Sequence, residues 1–249
     1  MTNPWRGLIL PGLATTLALA VLVWLGLWQV ERLRWKEALI AQVIARTDSA
    51  PIPAPGPKAW PDLVQGDLEY QPVSLTGRFL HRYEAHGFTT LTAPRGRYGG
   101  MGYLVMSPLE TEGGWFVYVN RGFVPEGNKN SITRSAGQID TNLTITGLLR
   151  APRPGPRFAA EDSISDNIWF SRDPSLFAEW NGPPPARVAP YIIDARFDPE
   201  LEGGLPQGGE TFLDFPNSHL GYAVTWFGLA AGLVGVFSVF ARARLRNRR

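Results

Sequence analysis

Two stretches of this chain carry no charge at all: Gly7 to Val30 and Leu220 to Phe240. A helix needs ~20 apolar residues to cross the ~30 Å of hydrocarbon in a bilayer, because each residue advances it by only ~1.5 Å. Both stretches are long enough. The chain therefore reads as two membrane spans with one polar, water-compatible region between them, Glu31 to His219. Its mean hydropathy is near zero only because apolar ends offset a polar middle.

The first run exceeds a secretory h-region of ~7–15 residues, and no small-residue cleavage pattern ends it, so it is expected to stay as an anchor. No Arg-rich amphipathic presequence precedes it, which disfavours a mitochondrial precursor. Orientation follows from the basic tail, Arg242, Arg244, Arg246, Arg248 and Arg249, since short basic flanks stay cytoplasmic. Two spans put Arg6 on the same side. Arg32, Arg34 and Lys36 argue weakly the other way, but a domain-sized loop crosses despite local charge. The expected partition is a cytoplasmic terminus (1–6), a first span (7–30) whose helix continues to about 49, a periplasmic domain (50–218), a second span (219–240) and a basic cytoplasmic tail (241–249). The expected location is the inner membrane of a bacterium, in contact with the lipid bilayer.

No cysteine occurs, so disulfides and thiolate metal sites are excluded. A net charge of +2, supplied largely by the tail, gives no reason to expect nucleic acid as a partner.

Residues 31–49 keep helical spacing through Trp35, Leu39, Val43 and Ile44. "SAPIPAPGPKAWP" (Ser49–Pro61) then breaks the helix, and its prolines favour an extended linker. Short β-type runs follow at Pro72–Leu80, His86–Thr92, Tyr103–Glu110, Trp115–Val124, Leu143–Arg150, Asn167–Arg172 and Tyr191–Arg196. Their β-branched and aromatic content and their spacing predict an antiparallel sheet, with "TEGGW" as a hairpin turn. "DPSLFAEWNG" predicts a soluble helix, capped by Asp173, opened by Pro174 and ended by Gly182. The fold class is membrane α+β: two transmembrane helices flanking a periplasmic antiparallel β domain, sandwich or partly closed barrel, with one or two short helices.

Enzyme signatures are missing. There is no cysteine nucleophile, no G-x-S-x-G elbow, and only three histidines. "HRYEAH" brackets Glu84 with His81 and His86, but the spacing is not H-E-x-x-H, and a solvated hairpin tip is the expected reading. "RGRYGGMG" (Arg95–Gly102) opens no helix, so it fails as a phosphate loop and reads as a mobile loop.

The spans are more informative. At ~100° per residue, His219, Tyr222, Trp226 and Ala230 share one face of the second span. Gly221, Gly228, Gly232 and Gly235 fall on the opposite face, which is expected to meet a neighbouring helix because small residues allow close approach in lipid. The first span carries Trp24, Trp28, Glu31 and Trp35, followed by Arg32, Arg34 and Lys36 at its outer end. Two accounts remain open. One is an aromatic belt with snorkelling cations. The other is a shelf for a planar, partly apolar ligand bearing carboxylates, with His219 as a metal ligand; haem is such a ligand.

"LGLWQVERLRWKEALI" (Leu25–Ile40), "VYVNRGFVP" (Val117–Pro125) and "NSHLGYAVTWFGLA" (Asn217–Ala230), in that order, resemble the signature blocks of the Surfeit locus family of cytochrome c oxidase assembly proteins. "VSLTGRFLHRYE" and "GYLVMSPL" fit less specifically. "NSHL" replaces the "NNHL" of many members and keeps the histidine. The resemblance implies a non-enzymatic assembly factor for a haem–copper oxidase. It would bind haem A transiently as cargo and aid its insertion into cytochrome c oxidase subunit I, with haem A synthase as a further candidate partner. It maps the proposed axial ligand onto His219; the shelf of Tyr222, Trp226, Trp28, Trp35, Arg32 and Arg34, read from the residues themselves, suits that role. The rivals are a structural chaperone that never binds haem and a membrane-anchored periplasmic enzyme.

Overall fold

A computed structural model describes residues 6–63, 69–155, 160–196, 204–210 and 217–246. Arg248 and Arg249 of the basic tail lie outside the described residues. The chain divides into a helical unit, Met1–Val43 with Asp214–Arg249, and a β unit, Ile44–Leu213.

The helical unit pairs α1 (Arg6–Thr47, whose last turn belongs to the β unit) with α3 (His219–Arg246). Both are long and apolar enough to cross a bilayer. They run antiparallel: Gly12 lies under Phe237, Gly26 under Phe227, and Gln29 beside His219. The closest approach is at Gly26, where an added Cβ would stand 2.7 Å from the Phe227 ring.

The glycine stripe of α3 was expected to meet a neighbouring helix, and within this chain that helix is not α1. At Gly221, Gly228, Gly232 and Gly235 an added Cβ meets nothing within 4 Å, so the stripe does not face α1. The buried positions of α3 are Ala223 and Ala230, on the face of His219. The small residues that admit rings are on the other helix, Gly26 under Phe227 and Gly12 under Phe237.

The β unit is a closed five-stranded ring. Its strands are β2 (Pro72–Phe79), β4 (Gly100–Thr111), β5 (Phe116–Pro125), β6 (Leu143–Arg150) and β7 (Val188–Ala195), hydrogen-bonded in the order β2-β6-β7-β5-β4 and back to β2. Two strands lie outside it: β1 (Ile52–Pro53) beside β2, and β3 (Ala85–Leu91) beside β4. The sheet is mixed rather than antiparallel, because β5 pairs with β7 in parallel, as β1 does with β2. Between them in sequence, β6 crosses to the far edge to pair with β2, and the return over α2 (Pro174–Asn181) brings β7 in parallel to β5.

Alternation explains the sequence of β5. Val117 and Val119 point into the barrel with Val73, Leu75, Leu109 and Ile193. Phe116 and Tyr118 point outward and are covered by Trp169 and by Phe177 of α2. A strand buried on both faces needs a continuous apolar run, which is what "WFVYV" supplies. α2 is capped as expected: the Asp173 carboxylate accepts from the Ser175 amide, and Pro174 occupies the first turn.

Other expectations change. Asn167–Arg172 is not a strand; it makes only isolated bridges and lays Trp169 over the outer face of the sheet. Ser49–Pro61 is not a free linker: Ile52–Pro53 pairs with β2, and the Pro55 carbonyl accepts from Trp60 Nε1 and Tyr191 Oη. The Arg95–Gly102 loop is tied down. The Glu210 carboxylate accepts from the amides of Arg95 and Gly96, and the Gln207 side chain both accepts from Tyr98 N and donates to Tyr98 O.

Candidate functional site

His219 opens α3, and its ring is half-buried. Nδ1 lies 2.8 Å from Oε1 of Gln29 on α1. An amide oxygen only accepts, so Nδ1 carries the proton and donates. In the neutral ring this leaves Nε2 bare, with its lone pair free for a metal. A hydrogen bond from the far nitrogen is the usual device that fixes a ligating histidine in one tautomer and orientation.

Gln29 was missed by sequence reasoning, which weighed aromatic and charged groups. The available signal was that it is the only amide in the first apolar run. Its burial on the α3 side shows why the amide is tolerated there: it is spent on His219.

The predicted shelf is assembled only in part. Arg32 stacks its guanidinium 4.0 Å from the ring centre of Trp35. Trp28, Trp35 and Tyr222 are each about half exposed, and Trp226 is partly buried. Arg34 is exposed. Among the described residues, neither Tyr222, Trp226, Trp28, Arg32 nor Arg34 hydrogen-bonds to His219. Tyr222 and Trp226 share its helix face by spacing alone. Trp35, half exposed and carrying the Arg32 guanidinium on its ring, is an apolar plane with a charged rim.

The β unit holds a second polar centre, and it corrects the reading of "HRYEAH" as a solvated tip. Glu84 is buried, and its carboxylate receives both terminal nitrogens of Arg134, at 3.3 and 2.5 Å, and the Ser107 hydroxyl. Arg121 stands 3.5 Å away. Burial by itself raises this carboxyl, but the contacts with His81 and Arg134 and the charges of Arg134 and Arg121 outweigh it and lower the pKa to about 2. Arg121 also donates to the Gly137 carbonyl and approaches Nδ1 of His81, while Nε2 of His81 donates to the Ile139 carbonyl.

The "VNRG" block now has physical content. Asn120 donates to Asp194 at 2.8 Å and accepts from the Gly122 amide, while Asp194 also takes Arg150 at 2.7 Å. Arg121 enters the Glu84 network. Gly122 has φ of +123° and leaves room for the Gln207 backbone. These are ties between strands and loops. Among the described residues, no three His, Asp or Glu side chains are grouped to hold a metal ion.

Comparison with known proteins finds relatives over most of the chain. The SURF1 family model matches residues 16–231. The chain is 36% identical to Surfeit locus protein 1 of Homo sapiens over 218 residues, covering 83% of this chain and 69% of that protein. It is 34% identical to a SURF1-like protein of Drosophila melanogaster over 239 residues, 91% of this chain and 73% of that one. It is 31% identical to Surfeit locus protein 1 of Takifugu rubripes over 243 residues, 91% and 92% of the two. With Gln29, His219 and the whole β barrel inside the matched region, the chain belongs to the SURF1 family.

Proposed function

We propose that this chain is an assembly factor for a haem–copper terminal oxidase, cytochrome c oxidase, and that it receives haem A through Nε2 of His219 and passes it to subunit I. The observation that carries the reading is the hydrogen bond from His219 Nδ1 to Gln29, which leaves the opposite ring nitrogen as a lone-pair donor. A neutral imidazole is a common axial ligand of haem iron. Haem is cargo here, and no catalytic turnover is assigned. Trp28, Trp35, Tyr222 and Trp226 supply apolar planes, and Arg32 and Arg34 supply cations for propionates. His81 and His86 belong to the β unit, where His81 binds the Ile139 carbonyl and His86 the Asn167 amide, so His219 is the histidine of the helical unit that would hold the haem.

The test is the Soret spectrum of the full chain purified in detergent. His219→Ala is expected to lose most bound haem while still inserting and folding. Gln29→Leu keeps the ligand but frees its ring, and is expected to weaken haem affinity about tenfold. Stoichiometric haem with an unchanged spectrum in His219→Ala would remove this histidine as the ligand and favour a chaperone that acts without haem.

The same reading assigns both termini to the cytoplasm and the β unit to the periplasm of a bacterial inner membrane, from the arginines that follow the apolar run Leu220 to Phe240. Alkaline phosphatase, active only in the periplasm, should give signal when fused at Gly155 and none when fused after Arg249. The reverse pattern overturns this orientation.

A further inference from the structure

A cavity of about 420 Å³ opens beside the Glu84 network, lined by His81, Arg82, Glu84, His86, Lys129, Asn130, Ser131 and Asn167. Nothing in the reading above uses it. We propose that this cavity binds a small oxyanion, a phosphate or carboxylate group, through the Nε2–H of His86 and the cations of Lys129 and Arg82.

The first ground is an orphaned donor. The Asn167 Oδ1 accepts from the indole N–H of Trp169 and from the His86 amide, both of which only donate, so its orientation is fixed. Its Nδ2 therefore donates to Nδ1 of His86, at 2.9 Å, and to the Glu84 carbonyl. His86 must then carry its proton on Nε2. That nitrogen is buried and has no hydrogen-bond partner. The nearest carboxylate oxygen, on Glu84, is 3.9 Å away, too far for a hydrogen bond. A buried N–H without an acceptor calls for an explanation, and an anionic oxygen in the adjoining cavity supplies one.

The second ground is charge. Glu84 is already spent on Arg134, with Arg121 in addition, so two buried guanidiniums face one carboxylate. Lys129 and Arg82 add two further cations at the rim. Lys129 uses one proton on the Asp166 carbonyl and lies 4.9 Å from the Tyr103 ring, leaving donors for a ligand. Arg82 stacks on Tyr83 in the open. A metal cation would meet the Lys129 and Arg82 charges at the rim, with Glu84 already paired to Arg134 behind them; an oxyanion meets donors. Burial, then Arg134 and Lys129, hold the His86 pKa down at about 4 against the opposing pull of Glu84. The ring is thus neutral at pH 7, and a bound anion would make it easier to protonate.

Inorganic phosphate is titrated into the full chain in detergent, with the His86 imidazole followed by NMR and sodium chloride matching ionic strength. A saturable shift is expected, with a dissociation constant on the order of 1 mM, together with a rise in the His86 pKa. Lys129→Met, on the rim and compatible with folding, is expected to weaken binding about tenfold. His86→Phe, which has no imidazole to follow and is read by isothermal titration calorimetry, is expected to abolish it. Acetate run in parallel separates the sources: tighter phosphate identifies a phosphate-bearing ligand, tighter acetate a carboxylate. No saturable shift with either anion, or undiminished affinity in Lys129→Met, overturns the proposal.

Discussion

Glu84→Ala is expected to destabilise the β unit by about 3–5 kcal/mol at neutral pH. The side chain is nearly inaccessible, as are its partners Arg134 and Arg121. Removing the carboxylate leaves two guanidiniums buried without a counter-charge. Breaking a buried pair from one side costs about 3–5 kcal/mol, a large part of the ~5–15 kcal/mol by which domains are stable. The effect has a signature in pH. The Glu84 pKa is lowered from 4.5 to about 2. A lowered carboxyl contributes stability that is present above the unfolded value and lost as pH falls through the folded one. The gap between native chain and variant should therefore be full at pH 7 and narrow between 4.5 and about 2. Denaturant titrations of both chains in detergent at pH 7 and pH 3 measure it. A gap under about 1 kcal/mol at pH 7 would show that the network is not holding the fold, since surface-like substitutions fall in that range.

Gly122→Ala is the second large effect. Its φ of +123° is a conformation that side chains rarely adopt, and an added Cβ would lie 2.0 Å from the Gln207 carbonyl oxygen. That oxygen cannot move aside cheaply, because it accepts from the Phe123 amide while Gln207 N donates back to Phe123 O. Gln207 in turn holds Tyr98 and meets Glu210, the anchor of Arg95 and Gly96. Strain and displaced pairing together predict a loss of about 4 kcal/mol or more. Hydrogen exchange locates it: the amides of Arg95, Gly96 and Tyr98 should lose protection first. Gly127→Ala, where an added Cβ meets nothing within 4 Å, is the control and should change stability by less than about 0.5 kcal/mol. Equal effects at the two glycines would sink the argument from close approach.

The sequence by itself determined whatever is written in local pattern. Uninterrupted apolar runs marked α1 and α3, because a helix that meets lipid must be apolar along its length. Six of the seven β-type runs became strands of the sheet, and Asp173, Pro174 and Gly182 bounded α2, because alternation and capping are decided within a few residues. His219 was legible as a candidate because a histidine at the end of such a run is conspicuous. Only the tertiary structure decided what joins distant residues. Gln29 and His219 are 190 positions apart, and no periodicity links them. The face of α3 that meets α1 places Phe227 and Phe237 against glycines of the partner helix, Gly26 and Gly12, and leaves the glycines of α3 itself turned away. "HRYEAH" looked solvated because it is polar, yet Arg121 and Arg134 reach it from β5 and from the turn that follows, and their charges make its burial affordable. Polarity read along the chain says that a group needs partners; only the fold says whether those partners are water or other side chains.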